Sequence, residues 1–299
     1  MNFENAARFI WENGRLLERR LFEFFFRGGS KDSVLRAIRA YQNEDGGFGH
    51  ALEPDLRTPE SQPLYVEFGL RTLYEAKIRD PETARKVCDY VSRVADLNEG
   101  IVTITASSSH YPRAMHWNNP ASVQASFDRL TGLVGLLKWQ GIAHPWLDQA
   151  VEVCLHHIRA TKYEDSHTIL TAFCLLESLP QTDDIQTLYS KLTDELYRAR
   201  FFCLEAPPQG YGLTPLDFAP FPDSYCRKIF PDSVIHGHLE ALSSEQEEDG
   251  GWPISWEPPG EMARLEWRAY RTLKCMVTLD AYGFQPAASS ARPGYAGDR

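Results

Sequence analysis

The sequence predicts an all-α fold: a closed ring of about five to six helical hairpins, an α/α toroid. Three observations carry this. Apolar residues recur at helical spacing almost throughout. Strand-like alternation is nearly absent, with residues 101–105 the one short candidate. One heptad occurs twice, far apart in the chain. Ten or so helices joined by short turns must share one core, and a simple bundle of that many leaves some far from any centre. A ring of hairpins gives each hairpin an inner and an outer member.

The stripes run in order. Val34, Ile38 and Tyr41 make the first; Val66, Leu70 and Leu73, after Pro63, the second. Leu133, Leu136 and Leu137 follow Gly132, and Val151, Leu155 and Ile158 follow Pro145. Ile169, Phe173 and Leu176 follow a capping run at Asp165 and Ser166; Leu188, Leu192 and Leu196 follow the acidic start Asp183-Asp184. Leu239 and Leu242, then Leu265, Leu273 and Leu279, complete the set. Ahead of them lies an N-terminal helix ending in Phe22, Phe24, Phe25 and Phe26. Packing between the first and last hairpins is its expected use; a weak membrane-surface contact is the alternative. Residues 1–284 are expected to form one domain, and 285–299, rich in Pro, Ala, Ser and Gly, a disordered tail.

Composition narrows the function. The chain has 299 residues, 43% of them hydrophobic and 12% aromatic, enough for a large core. A net charge of −10 argues against nucleic acid, which requires a basic surface. No apolar run approaches a membrane span of about 20 residues, and Glu4, Glu12 and Arg15 interrupt any leader-like stretch. Six scattered cysteines without a CxxC pair read as reduced core thiols of a cytoplasmic protein.

The repeated heptad is Gln42-Asn43-Glu44-Asp45-Gly46-Gly47-Phe48 and Gln246-Glu247-Glu248-Asp249-Gly250-Gly251-Trp252, displaced by 204 residues, from 45 to 249. Weaker echoes stand at 98–101, 162–165 and 209–212. The Gln is expected to bond free carbonyls at a helix end, Asp and the glycines to make a tight turn, and the aromatic to pack back on a neighbouring hairpin.

This Q-x-x-D-G-G-[FW] pattern resembles the repeat of the terpene cyclase and protein prenyltransferase superfamily. The stretch from Asp45 through Tyr65 and Leu70 is similar to the turn and inner helix of a prenyltransferase β subunit, and Gly250 through Cys275 to its last repeat. The resemblance implies a toroid with a central cavity. The superfamily's catalytic signatures are missing: no DxDD acid, no DDxxD magnesium motif, and no Asp, Cys and His zinc set, the helix that should offer the His reading Glu266-Trp267-Arg268-Ala269-Tyr270-Arg271. No metal and no cofactor are expected.

In such toroids, the resemblance implies, segments between a Gly-Gly turn and the next inner helix line the cavity mouth. Four segments are chemically rich, though each also reads as an ordinary packed loop. The first, from His50 to Arg57, carries Glu53 and Asp55, stiffened by Pro54. The second carries His116 and Trp117, the third Tyr211 and Asp217, the fourth Trp256 and Glu257, followed by Glu266, Trp267 and Arg268. Glu53, Asp55 and Glu266 are the candidate catalytic acids; His50, His116, Trp117, Tyr211, Asp217, Trp256, Glu257, Trp267 and Arg268 are candidate substrate-binding residues. Asp55, Glu53 and the 256–268 group are expected at one mouth, with Arg268 holding one carboxylate ionised while another keeps a raised pKa. The leading reading is an enzyme acting on a hydrophobic, isoprenoid-type small molecule by general-acid chemistry. A carbohydrate-active toroid (hydrolase or lyase) and a non-catalytic small-molecule-binding module are the alternatives. Greasy walls with one acid favour the first; polar walls with two facing carboxylates favour the second.

Overall fold

The protein is described by a computed structural model covering residues 1–208 and 210–284. The tail expected at 285–299 lies outside the described residues. Among the described residues twelve α-helices account for the fold: α1 Phe3–Asn13, α2 Leu16–Phe26, α3 Lys31–Arg39, α4 Pro63–Glu75, α5 Pro81–Val94, α6 Phe127–Trp139, α7 Pro145–Ala160, α8 Ser166–Glu177, α9 Asp183–Leu196, α10 Pro215–Phe218, α11 Asp232–Ser244 and α12 Glu261–Ala281. Among them there are only isolated β-bridges, no strand; Ile101 pairs singly with Ser126, so the strand expected at 101–105 is a loop. The architecture is that of an α/α toroid.

The N-terminal helix expected from the sequence is two helices. Gly14 ends α1, donating its N–H to the carbonyl of Ile10, and a Cβ there would lie 2.6 Å from that oxygen. Arg15 then starts α2, its N–H and guanidinium held by the Glu18 carboxylate. The phenylalanines at the end of α2 turn inward: Phe22 is buried, Phe24, Phe25 and Phe26 pack on the core, and Phe3 of α1 meets Phe26 edge to face at 5.4 Å. No helix among the described residues is long and apolar enough to cross a membrane.

Two layers follow from which helices are greasy all round. In α4, α6 and α8 nearly every turn is buried, whereas α3, α5, α7 and α9 bury one stripe. The buried helices pack side by side, α4 on α6 and α6 on α8, and α12 packs on α1 and α2, so first and last helices meet. Side-chain pairs show that α4, α6, α8 and α12 point the same way. Near their C-terminal ends Tyr74 of α4 reaches Glu177 of α8 and Trp139 of α6, and Glu75 pairs with Lys274 of α12. The N-terminal ends therefore share the other face.

The two heptads make matching turns. Gly46 (φ +89°) and Gly250 (φ +96°) adopt the left-handed conformation, and the Asp45 and Asp249 carboxylates accept the N–H of Gly47 and Gly251 at 2.9 and 3.0 Å. Phe48 and Trp252 are fully buried. One detail differs from expectation. Gln42 and Gln246 donate to the carbonyls of Gly46 and Gly250, each at 2.9 Å, bracing the turn itself rather than capping the preceding helix. The first echo shares the geometry: Gly100 has φ +101° and exchanges backbone hydrogen bonds with Asp96.

Candidate functional site

The segment between the first turn and α4 cannot run straight, because His50 and Ala51 both take positive φ and Pro54 stiffens the chain just beyond them. The bend carries residues 52–56 inward, and all five are buried. Backbone bonds lock this segment to the loop after α5: Ala114 donates to the Asp55 carbonyl at 2.8 Å and Arg57 to the Pro112 carbonyl at 3.0 Å. The Arg15 guanidinium donates to the carbonyls of Ala51 and Leu52. The segment that carries Asp55 is thus held by the loop after α5 and by Arg15 before any ligand arrives.

Its carboxyl is poorly solvated. Burial pushes the Asp55 pKa up to about 6, and the indole N–H groups of Trp267 and Trp256 pull against that rise. Neither indole closes a normal hydrogen bond: Asp55 Oδ1, Trp256 Nε1 and Trp267 Nε1 are all buried without a partner. Three unsatisfied polar atoms in one place are costly unless a further group joins them. Asp55 Oδ2 faces His116 Nε2 at 3.5 Å, and burial lowers the His116 pKa, so that imidazole is neutral at neutral pH.

The second acid, Glu53, is buried as well. Burial and the neighbouring Asp55 charge push its pKa well up, opposed by the Asp55 N–H (3.0 Å from Glu53 Oε2) and by Arg15 and Arg129. The third, Glu266, is a different case. Arg57 grips it at 2.5 and 3.4 Å, holding it in a two-pronged ion pair between the first loop and α12.

The walls are aromatic. Trp256 meets Trp267 edge to face at 5.2 Å, and Trp267 meets Phe68 at 5.8 Å and Tyr270 at 5.6 Å. Trp117 stands against His116 at 4.6 Å, its indole nitrogen also buried without a partner.

Glu53, Asp55, His116, Trp117, Trp256, Glu266 and Trp267 thus come together at the N-terminal face of the buried helices. Others do not. Arg268 pairs with Asp249 (2.7 Å) and Glu247, with its guanidinium 4.5 Å over the Phe9 ring, so it braces the second Gly-Gly turn; Arg57 takes the role expected of it. The reason is helical pitch: with Glu266 facing inward, a residue two positions on lies about 200° around the helix. Glu257 and His50 are exposed, Glu257 without an ion pair or hydrogen bond among the described residues. Tyr211 stacks on His167 and bonds its Nε2 at 3.1 Å, near the start of α8. Asp217 caps α10 and lines a separate cavity at the opposite end of the molecule. Arg57 and Phe68 were missed; both follow the first turn, and Phe68 lies on the same face of α4 as Tyr65, one turn earlier. Among the described residues no group of three or more His, Cys, Asp or Glu is arranged to hold a metal ion.

No family model matches this sequence, and no curated protein does. Solved structures do. A protein from Actinoplanes superposes with a TM-score of 0.55 at 12% identity, over 94% of this chain and 98% of that one. The type II terpene cyclase MstE from Scytonema, in its apo form, superposes with a TM-score of 0.52 at 13% identity, over 94% of this chain and 97% of that one. The fold is therefore terpene cyclase-like.

Proposed function

We propose that the protein is a terpene cyclase-like enzyme. In this reading it protonates an alkene of a linear, isoprenoid-type small molecule, with Asp55 as the general acid. The observation that carries it is the Asp55 carboxyl: buried, raised to about 6, and facing two indoles rather than a cation. Asp55 transfers its proton to one alkene carbon and becomes a carboxylate; the other carbon becomes a cation that a second alkene can attack. The product cation loses a proton, so the sum is an isomerisation. The faces of Trp256, Trp267 and Phe68 suit a developing cation. His116, half exposed and neutral, offers the route by which Asp55 regains a proton. Glu53, its own carboxyl pushed well up by burial and by the Asp55 charge, stands beside the acid, and Glu266, neutralised by Arg57, sets the wall.

The fold shared with MstE supports the reading, as does the unpaired Asp55 carboxyl against an aromatic wall. A sugar-cleaving pair needs two facing carboxylates, and Glu266 is engaged. Exposed Met115 and Met262, beside His116 and on the first turn of α12, give an apolar approach. Carboxylic-acid protonation calls on no metal or cofactor.

The test is incubation with geraniol, farnesol and geranylgeraniol in D₂O, followed by mass spectrometry. Cyclisation by protonation gives a product one mass unit heavier than its substrate, with fewer alkenes. Recovery of every substrate unchanged, or labelled product persisting undiminished in Asp55→Asn, overturns the proposal.

A further inference from the structure

A gap in the buried layer lies at the face away from Asp55, and the sequence explains it. Where a full inner helix is due after α9, the chain reads Pro215-Leu216-Asp217-Phe218-Ala219-Pro220-Phe221-Pro222. Pro215 can open a helix, but Pro220 and Pro222 forbid its continuation, so α10 stops after four residues. The space a longer helix would fill remains as a cavity of about 310 Å³ beside the C-terminal ends of α4, α6 and α8. That is at the small end of ligand pockets, roughly 300–1,000 Å³. Along α4 its lining starts at Arg71, about 12 Å past Pro63 at 1.5 Å per residue.

Its walls are aromatic, chiefly Tyr74, Trp139, Phe173, Phe218 and Tyr225. Its charges are uneven. Of the lining groups Arg71, Lys77, Glu75, Glu177, Asp217 and Asp223, both cations are already held: Arg71 by Glu67 at 3.1 Å and Lys77 by Asp223 at 2.6 Å. Glu75 is held by Lys274 at 2.9 Å. Among the described residues Glu177 and Asp217 have no ion-pair partner. Asp217 is exposed and occupied in capping, its Oδ2 accepting from the Thr214 backbone and hydroxyl. Glu177 is the half-buried one. Its Oε2 accepts the Tyr74 hydroxyl at 2.5 Å, which aims the carboxylate without neutralising it, and the nearby Lys77 is spent on Asp223. A carboxylate without a cation, ringed by π-faces, matches an ammonium with an apolar body: the charge meets Glu177 and the hydrocarbon meets the rings.

We propose that this cavity is a second small-molecule site, distinct from the Asp55 mouth, that binds an organic ammonium ion carrying a compact apolar or aromatic body. Glu177 is its counter-ion, Tyr74 orients Glu177, and Trp139 and Phe173 seat the body. The proposal stands on the cavity and its charge balance alone and does not depend on the Asp55 chemistry.

The test uses three probes of one shape: 3-phenylpropylamine, 3-phenylpropan-1-ol and 3-phenylpropanoate, titrated into the full chain by calorimetry at neutral pH. The amine is expected to bind at least tenfold more tightly than the alcohol, and the carboxylate weakest. Glu177→Gln, close to isosteric, should erase the preference for amine over alcohol while keeping the alcohol's affinity. Trp139→Ala should weaken amine and alcohol together, and Asp55→Asn should leave all three unchanged. Equal affinities across the trio, tighter binding of the carboxylate, or loss of amine binding in Asp55→Asn each overturn the proposal. The trio is read on the unmodified protein, so a variant that fails to fold does not blunt it.

Discussion

The two ends of the buried helices use one device for opposite purposes. Each places a carboxyl among aromatic rings and raises its pKa by burial: Asp55 at the N-terminal face, Glu177 at the C-terminal face. At the first, the neighbours are indole N–H groups that do not close on the carboxyl, so it favours its proton and can give it away. At the second, a phenol donates squarely at 2.5 Å and no cation joins it, so the carboxylate is aimed and available to attract charge. Burial alone does not fix the role of an acid; the geometry of its donors does.

The comparison breaks most sharply in turnover. Asp55→Asn should lower deuterium incorporation by roughly 10²–10⁴-fold, the usual worth of a general acid, while Glu177→Gln should change it less than about twofold, a span within the scatter of unrelated surface changes. Comparable losses in both would mean the ends are one site. The pH dependence sharpens it next. Asp55 must be protonated to act, so turnover should fall as pH rises through about 6.

Stability carries the same signature. The folded pKa of Asp55 lies above its ordinary value of 3.8. Between those values the unfolded chain has released a proton that the fold retains, so stability falls with rising pH and stays lowered above 6. Asp55→Asn removes this cost, and its stability relative to the parent should grow by about 2 kcal/mol from pH 4 to pH 6.5. Urea unfolding at the two pH values reads the difference, and a pH-independent difference contradicts it.

Smaller effects separate the supports. Arg57→Gln leaves Glu266 buried without its cation and should cost about 1–2 kcal/mol in urea unfolding, more than Glu266→Gln, which removes the charge as well. Equal losses would make the pair a simple tie. Asp45→Ala should cost about 1 kcal/mol by losing the turn bond to Gly47. Tyr74→Phe should cost less than about 1 kcal/mol, because Glu177 is half exposed and can recover water. A larger loss would mark that bond as part of the core rather than as an orienting device.

Much of this was legible in the sequence. The helical stripes and the duplicated Gly-Gly turn gave the all-α toroid, because both follow from local rules of spacing and backbone conformation. The meeting of Glu53 and Asp55 with Trp256, Glu266 and Trp267 also followed, since matching turns put matching segments at one face. What escaped is what depends on rotation or on absence. Arg268 was placed at the mouth by proximity in sequence, whereas the helix turns it toward Asp249. Helix α5 carries an ordinary apolar stripe of Ala84, Val87, Cys88 and Val91 and could have been read from it. The cavity beside α10 is made by a helix that does not form. Prolines announce such a stop, but the volume it leaves depends on neighbours that only the fold assembles.

The meeting of the first and last helices also governs when the molecule becomes competent. Asp55 waits for Trp256 and Trp267, Arg57 for Glu266 across 209 positions, and Glu75 for Lys274 across 199. Contacts so far apart in the chain form late, because loop closure must come first. During synthesis the early hairpins leave the ribosome with one flank uncovered and Asp55 still open to water, an ordinary aspartate. Its raised pKa is thus acquired only after residues 256–267 have been made, and a chain interrupted before residue 256 would carry the acid without its chemistry.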